Sequence, residues 1–365
     1  LDNAKDSQGN IYIAGMMEGE ADYLNSFITA NSFQSVFGGG TADGFIAKFS
    51  PSGLLIWSTF FGGAGADRIN TIEIDSADRL FVAGTTSSPQ MATPGAYREF
   101  LTGLNDAFLA EFDTNGERIW STYYGGVYND EFSGIASDES DGLYLFGKTS
   151  SPENIATPLS FNEAFIPDPT ISNPENDYKD FMVGFTKSGS RLWGTYYGTN
   201  TQFNRSDING VTLNASGFYI VGQVFDTNQN NYFATVGCHQ SYNSNAAGIG
   251  SDMFLSKFAF DGTRQWSTYF GGSGSDKSIA YGAEIYVRNL RNVKAAQDFV
   301  YISGTTNSNN NVATAGVFQP VKQHYSNFVA KFNNQGVQQW GSYLGNTGPS
   351  GVSDGAQYTM LNFDA

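Results

Sequence analysis

The sequence is poor in the residues that most familiar site chemistry requires. A single cysteine, Cys238, excludes an intrachain disulfide, and two histidines, His239 and His324, leave little material for a zinc or copper centre. No Cys-x2-Cys or His-x3-His spacing occurs. Charged residues make up 15% of the chain, against roughly 25% in ordinary soluble domains. The 19 Lys and Arg are outnumbered by 35 Asp and Glu, for a net charge of −16. That balance argues against nucleic acid or an anionic membrane as the main partner, because phosphate recognition needs clustered positive charge. No apolar run approaches the roughly 18 residues of a membrane span, and no signal peptide is recognised. The opening at Leu1 rather than Met is expected to mark a processed or trimmed product.

The deficit in charge is filled by 43 Gly, 30 Phe, 20 Tyr and 5 Trp, a blend that favours strands and tight turns. A length of 365 residues admits two domains or one large repeat domain. The tryptophans decide between them. Trp57, Trp120, Trp193, Trp266 and Trp340 are separated by 63, 73, 73 and 74 residues. Phe45, Phe108, Phe181, Phe254 and Phe328 stand twelve residues before them. Phe49, Phe112, Phe185, Phe258 and Phe332 stand eight before, and Gly53, Gly116, Gly189, Gly262 and Gly336 four before. All five copies therefore read Phe-x3-Phe-x3-Gly-x3-Trp.

Two Phe four apart fall on one face of a strand, the Gly supplies a turn residue that tolerates positive φ, and the Trp rides the return strand. A helix is excluded because Gly and β-branched residues interrupt every turn. A third strand recurs as Phe81-Val-Ala-Gly84 and Tyr219-Ile-Val-Gly222, and a fourth precedes it, as in Ile69-Asn-Thr-Ile-Glu-Ile-Asp75. Each unit thus has four antiparallel strands, a to d in chain order. Five such units predict an all-β fold, a β-propeller of five four-stranded antiparallel blades in a single domain spanning 1–365. The repeat units fall at about 1–68, 69–131, 132–207, 208–278 and 279–351. Residues 352–365 read as a strand a with no strand b behind it. They either close the ring on the first blade or mark a cut through a longer array.

The run Trp-Ser-Thr-Tyr-Phe-Gly-Gly-Ser-Gly-Ser-Asp (266–276), followed by Phe-Val-Tyr-Ile-Ser-Gly-Thr-Thr-Asn-Ser (299–308) and Ala-Thr-Ala-Gly-Val-Phe-Gln (313–319), resembles the SBBP β-propeller repeat. That repeat occurs in secreted and surface proteins of bacteria, often of the Bacteroidetes. The resemblance covers nearly the whole chain and implies a propeller fold and an extracellular location. It implies no enzymatic activity and so carries over no catalytic residues. The chain departs from it in having five units where the name implies seven, and in having longer units.

In a propeller the d–a and b–c connections share one end. The b–c segments are long, and they repeat an element seen at Ala92-Thr-Pro-Gly-Ala-Tyr97, Ala156-Thr-Pro-Leu-Ser-Phe161, Ala234-Thr-Val-Gly-Cys-His239 and Ala313-Thr-Ala-Gly-Val-Phe318. The first copy, Ile28 to Phe33, is degenerate. Loops on a rigid scaffold carry function, so this end is the expected binding face. The aromatics Tyr97, Phe161, Tyr178, Tyr232 and Tyr242 are the candidate ligand-binding residues, whereas the motif Trp and Phe are expected in the core. A small basic group at Arg288, Arg291 and Lys294 is expected on an insert between strands a and b, either as a docking patch or as a solvated hairpin tip.

Gly62-Gly-Ala-Gly-Ala-Asp67 and Gly271-Gly-Ser-Gly-Ser-Asp276 match the opening of a calcium-binding turn, which makes calcium the one cofactor considered. One carboxylate per turn falls short of the six to eight oxygens calcium takes, and the copy at 198–203 lacks the Asp. The competing reading is an Asp that caps backbone amides. Adjacent Cys238 and His239 point apart on an extended segment, so a packed ring is expected at His239. No Gly-x-Ser-x-Gly elbow is present. Asp75-Ser76-Ala77 matches a short O-glycosylation acceptor. The expected function is a non-catalytic extracellular binding or structural module of a bacterial surface protein, contacting an envelope protein or a glycan through the b–c loops. A polysaccharide-acting hydrolase or lyase and a scaffold subunit of a surface assembly are the alternatives.

Overall fold

The structure, a computed structural model, describes residues 1–19, 21–198, 204–226, 231–244, 250–278, 292–322 and 326–345. Residues 352–365, Arg288, Arg291, His324 and most of the 198–203 turn lie outside them. Among the described residues, apart from a five-residue helix, Ala21–Asn25, and one 3-10 turn, Pro174–Asn176, the regular structure is strand.

Five antiparallel sheets follow one another along the chain, each ordered as the chain runs. The first holds β1 (Asp2–Lys5), β2 (Ile11–Met17), β3 (Asp43–Phe49) and β4 (Leu55–Phe61). The second holds β5 (Asp67–Ile74), β6 (Leu80–Thr86), β7 (Asp106–Phe112) and β8 (Arg118–Tyr124). The third holds β9 (Asp130–Ser137), β10 (Gly142–Thr149), β11 (Lys179–Thr186) and β12 (Arg191–Tyr197). The fourth holds β13 (Asn204–Asn214), β14 (Gly217–Asp226), β15 (Asp252–Phe258) and β16 (Arg264–Phe270). The fifth holds β17 (Asp276–Lys277), β18 (Val293–Ala296), β19 (Phe299–Thr306), β20 (Ser326–Asn333) and β21 (Gln338–Leu344). The chain divides into two compact units, 1–167 with 171–197, and 168–170 with 198–365. The first unit contains three sheets and the second contains two.

The fifth sheet corrects one expectation. β17 and β18 both pair with β19, so the inserted residues interrupt strand a itself. Lys294 lies within β18, exposed on a strand, rather than on a loop between strands a and b.

Two of the repeated glycines have clear causes. A register shift in the first two strands of the second sheet folds the Arg68 carbonyl over Gly84, where a methyl group would collide with that oxygen. Gly116, in the turn after β7, has φ +86 and carries the indole of Trp57 on its Cα, 3.0 Å from where a methyl would sit. That contact joins consecutive sheets. Trp57 Nε1 donates to Thr114 O (3.0 Å), Trp120 Nε1 to Lys187 O (3.2 Å), and Trp266 Nε1 to Asn334 O (2.7 Å). Each acceptor lies two residues before the turn glycine of the following sheet, so the Gly and the Trp of the motif serve two different sheets.

The core lies between sheets, as the aromatic repeat requires. Trp57, Phe61, Phe108 and Phe112 form one cluster joining the first and second sheets. Tyr124, Phe132, Phe181 and Phe185 join the second and third. In the other unit, Trp266, Phe270, Phe328 and Phe332 join the fourth and fifth. Rings meet edge-on or offset, as in Phe61 against Phe112 with centroids 5.3 Å apart at 89°.

Candidate binding surface

Within each unit the d–a turn and the start of the b–c segment share one end. Ser87 N donates to Ala66 O, Ser150 N to Asn129 O, and Asn307 N to Ser275 O. The aspartate that ends each Gly-Gly turn ties this end together. Gly63 N donates to Asp67 Oδ2 (2.8 Å), Gly126 N to Asp130 Oδ2 (2.8 Å), and Gly272 N to Asp276 Oδ2 (2.8 Å). Hydroxyls just past the end of strand b complete the shell, with Ser88 Oγ on Asp67 and Ser151 Oγ on Asp130. The aspartate thus caps amides and hydroxyls, all of them hydrogen-bond donors. Among the described residues no group of three His, Cys, Asp or Glu is placed to hold a metal ion.

A second aspartate, at the start of strand c, lies close to the first. Asp43 Oδ2 accepts from Gly38 N (2.6 Å), and Asp252 Oδ2 accepts from Ser244 N (2.7 Å) and Gln240 Nε2 (3.2 Å). Their Oδ1 atoms are buried without a hydrogen-bond partner. Burial, with the neighbouring Asp276 charge added, pushes the pKa of Asp252 up to about 8. Burial likewise raises Asp130 to about 7 and Asp43 to about 6, in the latter case reinforced by Asp67. These carboxyls are buried inside the fold and present nothing to solvent.

The repeated b–c element has a structural task. Strand d is the outer edge of each sheet, and an open edge is a liability. In the second sheet Thr93 N donates to Ser121 O (3.0 Å) and Tyr123 N to Arg98 O (3.1 Å), while Arg98 N donates to Thr122 Oγ1 (2.9 Å). In the fourth, Thr235 N donates to Ser267 O, Tyr269 N to Gln240 O, and Gln240 N to Thr268 Oγ1. Thr29 and Gln34, Thr157 and Asn162, and Thr314 and Gln319 repeat the pattern. Each loop is a strap fastened along strand d. The hydroxyl two residues after each Trp, on Thr59, Thr122, Thr195, Thr268 and Ser342, is the fastening point.

Three of the five expected ligand-binding aromatics pack against other rings. Tyr97 packs on Tyr124 (6.2 Å) and Phe185 (5.7 Å), with the Arg191 guanidinium 4.9 Å from its centroid. Phe161 packs on Tyr197 (5.7 Å), and Tyr232 lies edge-on to Phe233 (4.9 Å). Tyr178 and Tyr242 are exposed. Tyr97, Phe161 and Tyr178 belong to one unit and Tyr232 and Tyr242 to the other. His239 packs against Phe270 and Phe332, and burial lowers its pKa. Cys238 is a half-buried free thiol. Ser76 is exposed, and its neighbour Asp75 is buried and held by Arg79 and Lys187.

Apolar side chains stand out from the straps instead. Leu159 is 97% exposed and Phe100 is 75% exposed. Leu159 has φ +64, at the position filled elsewhere by Asn31, Gly95, Gly237 and Gly316, all with positive φ. A leucine in the left-handed region costs about 1 kcal/mol with nothing buried in return. Its sequence signal is a Leu where sister repeats carry Gly.

No family model matches the chain. Over 278 residues, 74% of the chain, it is 23% identical to the regulatory protein FlaEY of Caulobacter vibrioides, of which it covers 27%. Over 196 residues it is 22% identical to an uncharacterized WD repeat-containing protein of Acanthamoeba polyphaga mimivirus, of which it covers 13%. The chain therefore spans about a quarter of one relative and about an eighth of the other. Among solved structures, the β-propeller domain of the Trilobed protease from Pyrococcus furiosus aligns over 96% of this chain and 98% of its own, at 7% identity and a TM-score of 0.35.

Proposed function

We propose that the five sheets are blades of a β-propeller, closed into a ring, and that the chain is a non-catalytic extracellular binding module of a bacterial surface protein, engaging an envelope protein through its b–c loops. The observation that carries this reading is the exposed, strained Leu159 on a strap whose remaining residues are fixed to strand d. Conformational strain at an exposed apolar side chain is retained where that side chain is used. A protein partner is favoured over a glycan because three of the five aromatics that would stack on sugar rings, Tyr97, Phe161 and Tyr232, are packed against other rings, which leaves Tyr178 and Tyr242 exposed. The resemblance to secreted SBBP repeats supports the location.

The test compares the wild-type chain with a Leu159→Asp, Phe100→Asp variant of equal thermal stability. Both are presented to cell-envelope preparations, before and after proteolysis, and to a glycan array. Protease-sensitive binding lost in the variant supports the reading. Glycan binding unaffected by the substitutions, or turnover of a polysaccharide, overturns it.

A further inference from the structure

Two junctions within the three-sheet unit share one backbone plan and differ in what they expose. Where the first sheet meets the second, a methyl group on Gly40 would collide with the Gly65 carbonyl. Where the second meets the third, a methyl group on Gly103 would collide in the same way with the Tyr128 carbonyl. The positions correspond, since Gly40 and Gly103 each stand three residues before the Asp that opens strand c. Around this shared contact the first junction has Thr41, Ala64 and Gly65. The second has Leu104, Val127 and Tyr128 in their places. The corresponding turn between the fourth and fifth sheets, in the other unit, has Ser273 and Gly274.

The larger side chains face solvent. Phe100 is 75% exposed and Leu104 60%, and Val127 and Tyr178 are exposed as well. Hydrogen bonds draw their three segments together. Asn105 Nδ2 donates to Asn129 Oδ1 (2.8 Å), Asn129 Nδ2 donates to Glu175 O (3.4 Å), and Arg98 reaches from the strap to the Gly125 carbonyl. A patch of apolar side chains gathered in this way at a surface marks a site of contact with another molecule.

The rim of the patch is acidic. The Glu153 backbone lies against Gly126, and the Glu153 side chain is exposed. Partial burial, then the charges of Glu131, Asp130 and Glu175, raise the pKa of Tyr178. The neighbouring cations are engaged by groups of the fold. Lys148 pairs with Asp180 (3.7 Å) and Lys179 with Asp177 (2.6 Å), both aspartates being buried, while Arg98 donates to Thr102 and Gly125.

We infer that the face formed by Phe100, Leu104, Val127 and Tyr178 docks a basic amphipathic segment of a partner protein. The inference rests on the binding role proposed above and adds the junction used and the chemistry of the partner. Apolar burial supplies affinity, while the glutamates select a cationic partner and speed its approach. A second copy of this chain is disfavoured, because a two-fold contact through this face would set its own glutamates against each other in a chain of net charge −16. An anionic lipid surface is repelled for the same reason.

The test titrates the full chain with a labelled synthetic peptide of Leu and Lys, patterned as an amphipathic helix and carrying a photo-cross-linker. The expected result is saturable binding that weakens as salt rises, with cross-links confined to 99–105, 126–131 and 174–178. Leu104→Ser with Val127→Ser alters exposed side chains, so it should leave Tm unchanged and weaken binding about tenfold or more. Glu153→Gln with Glu175→Gln should weaken binding and flatten its salt dependence. Glu117→Gln with Glu139→Gln makes the same charge change in exposed turns at the opposite end and should leave affinity unchanged. Equal losses from the two glutamate pairs would reduce the effect to overall charge and overturn the inference. So would cross-links elsewhere on the chain, or equal binding of a peptide with Glu in place of Lys. The envelope assay uses no peptide, so a chain that captures an envelope protein but ignores the Leu–Lys peptide retains the binding role and overturns this inference alone.

Discussion

Asp252 and Asp276 begin strands of adjacent sheets and converge on one glycine: a methyl group on Gly271 would lie 2.7 Å from Asp252 Oδ1 and 2.7 Å from Asp276 Oδ2. Two buried carboxyls so placed cannot both ionise without penalty. Burial raises Asp252 to about 8 and Asp276 to about 6. An aspartate whose folded pKa lies above its unfolded value of about 3.9 binds a proton only in the folded state between those limits, so its contribution to stability falls as pH rises. The slope is about 1.4 kcal/mol per pH unit for each such group over its window. Unfolding in urea is therefore expected to show lower stability at pH 8.5 than at pH 5. Asp252→Asn, an uncharged mimic of the protonated acid, should gain more at pH 8.5 than at pH 5. Stability that climbs from pH 5 to 8.5 in the wild type would contradict this account.

Trp57 is buried between two sheets, with its indole N–H satisfied by Thr114 O. Trp57→Ala removes the ring and opens a cavity, which costs about 3–5 kcal/mol. Gly116→Ala attacks the same contact from the other side and adds the strain of a side chain at φ +86. Both should lower the urea midpoint with little change in its slope. A loss below about 1 kcal/mol for Trp57→Ala would mean the two sheets are held by something else.

The straps predict a local rather than a global effect. Thr268 Oγ1 accepts the Gln240 N–H and donates to the Tyr269 carbonyl at 3.0 Å. Thr268→Val keeps the shape and removes the acceptor, with a global cost of about 1 kcal/mol. Hydrogen exchange at the Gln240 amide should accelerate well beyond that of the β15–β16 amides. Uniform acceleration would show that the strap does not open on its own.

The five-fold sheet pattern was legible because every motif residue has a repeated physical cause: Phe faces a neighbouring sheet, Gly admits a turn, Trp fills the junction. The order of strands within each sheet follows directly. The pairing of carboxyls was not legible, because Asp43 and Asp67 are 24 positions apart and meet only when two sheets pack. The structural task of the b–c segments was hidden for a related reason. A repeated Ala-Thr element in a long loop reads as surface, yet hydrogen bonds to strand d make it framework, and they carry Tyr97 and Phe161 inward with it. The split of strand a in the fifth sheet was hidden because residues from Asp276 onward begin like every other strand a.

Leu159 offers a separation of stability from binding. Leu159→Gly matches the sister repeats at a left-handed position and should stabilise the fold by about 1 kcal/mol, since no contact is lost at a side chain 97% exposed. The same change should weaken partner binding. Thermal melting and a binding titration on one preparation check both; a variant that melts lower than wild type would place Leu159 in the packing after all.

The sharpest stability effect is expected at a buried ion pair on the opposite end of the sheets. Lys187, in the turn of the third sheet, lies 3.1 Å from Asp75 Oδ2 in the second, and both side chains are buried. Its ammonium also donates to the Asp138 carbonyl at 2.7 Å. Burial alone would raise the Asp75 pKa, but hydrogen bonds from the Arg79 backbone and side chain and from Lys187 outweigh it and hold the pKa below 3.8. A depressed folded pKa contributes stability above the unfolded value of about 3.9, and that contribution disappears as pH falls through the folded pKa. Lys187→Met leaves the carboxylate buried with Arg79 as its one charged partner, at a cost of about 3–5 kcal/mol at pH 7. The double variant Asp75→Asn, Lys187→Met removes both charges and should recover most of that loss. The penalty of the single variant should shrink toward pH 3, where Asp75 in its altered setting takes up a proton. Equal losses in single and double variants at pH 7 would assign the effect to packing by the lysine stem rather than to the pair.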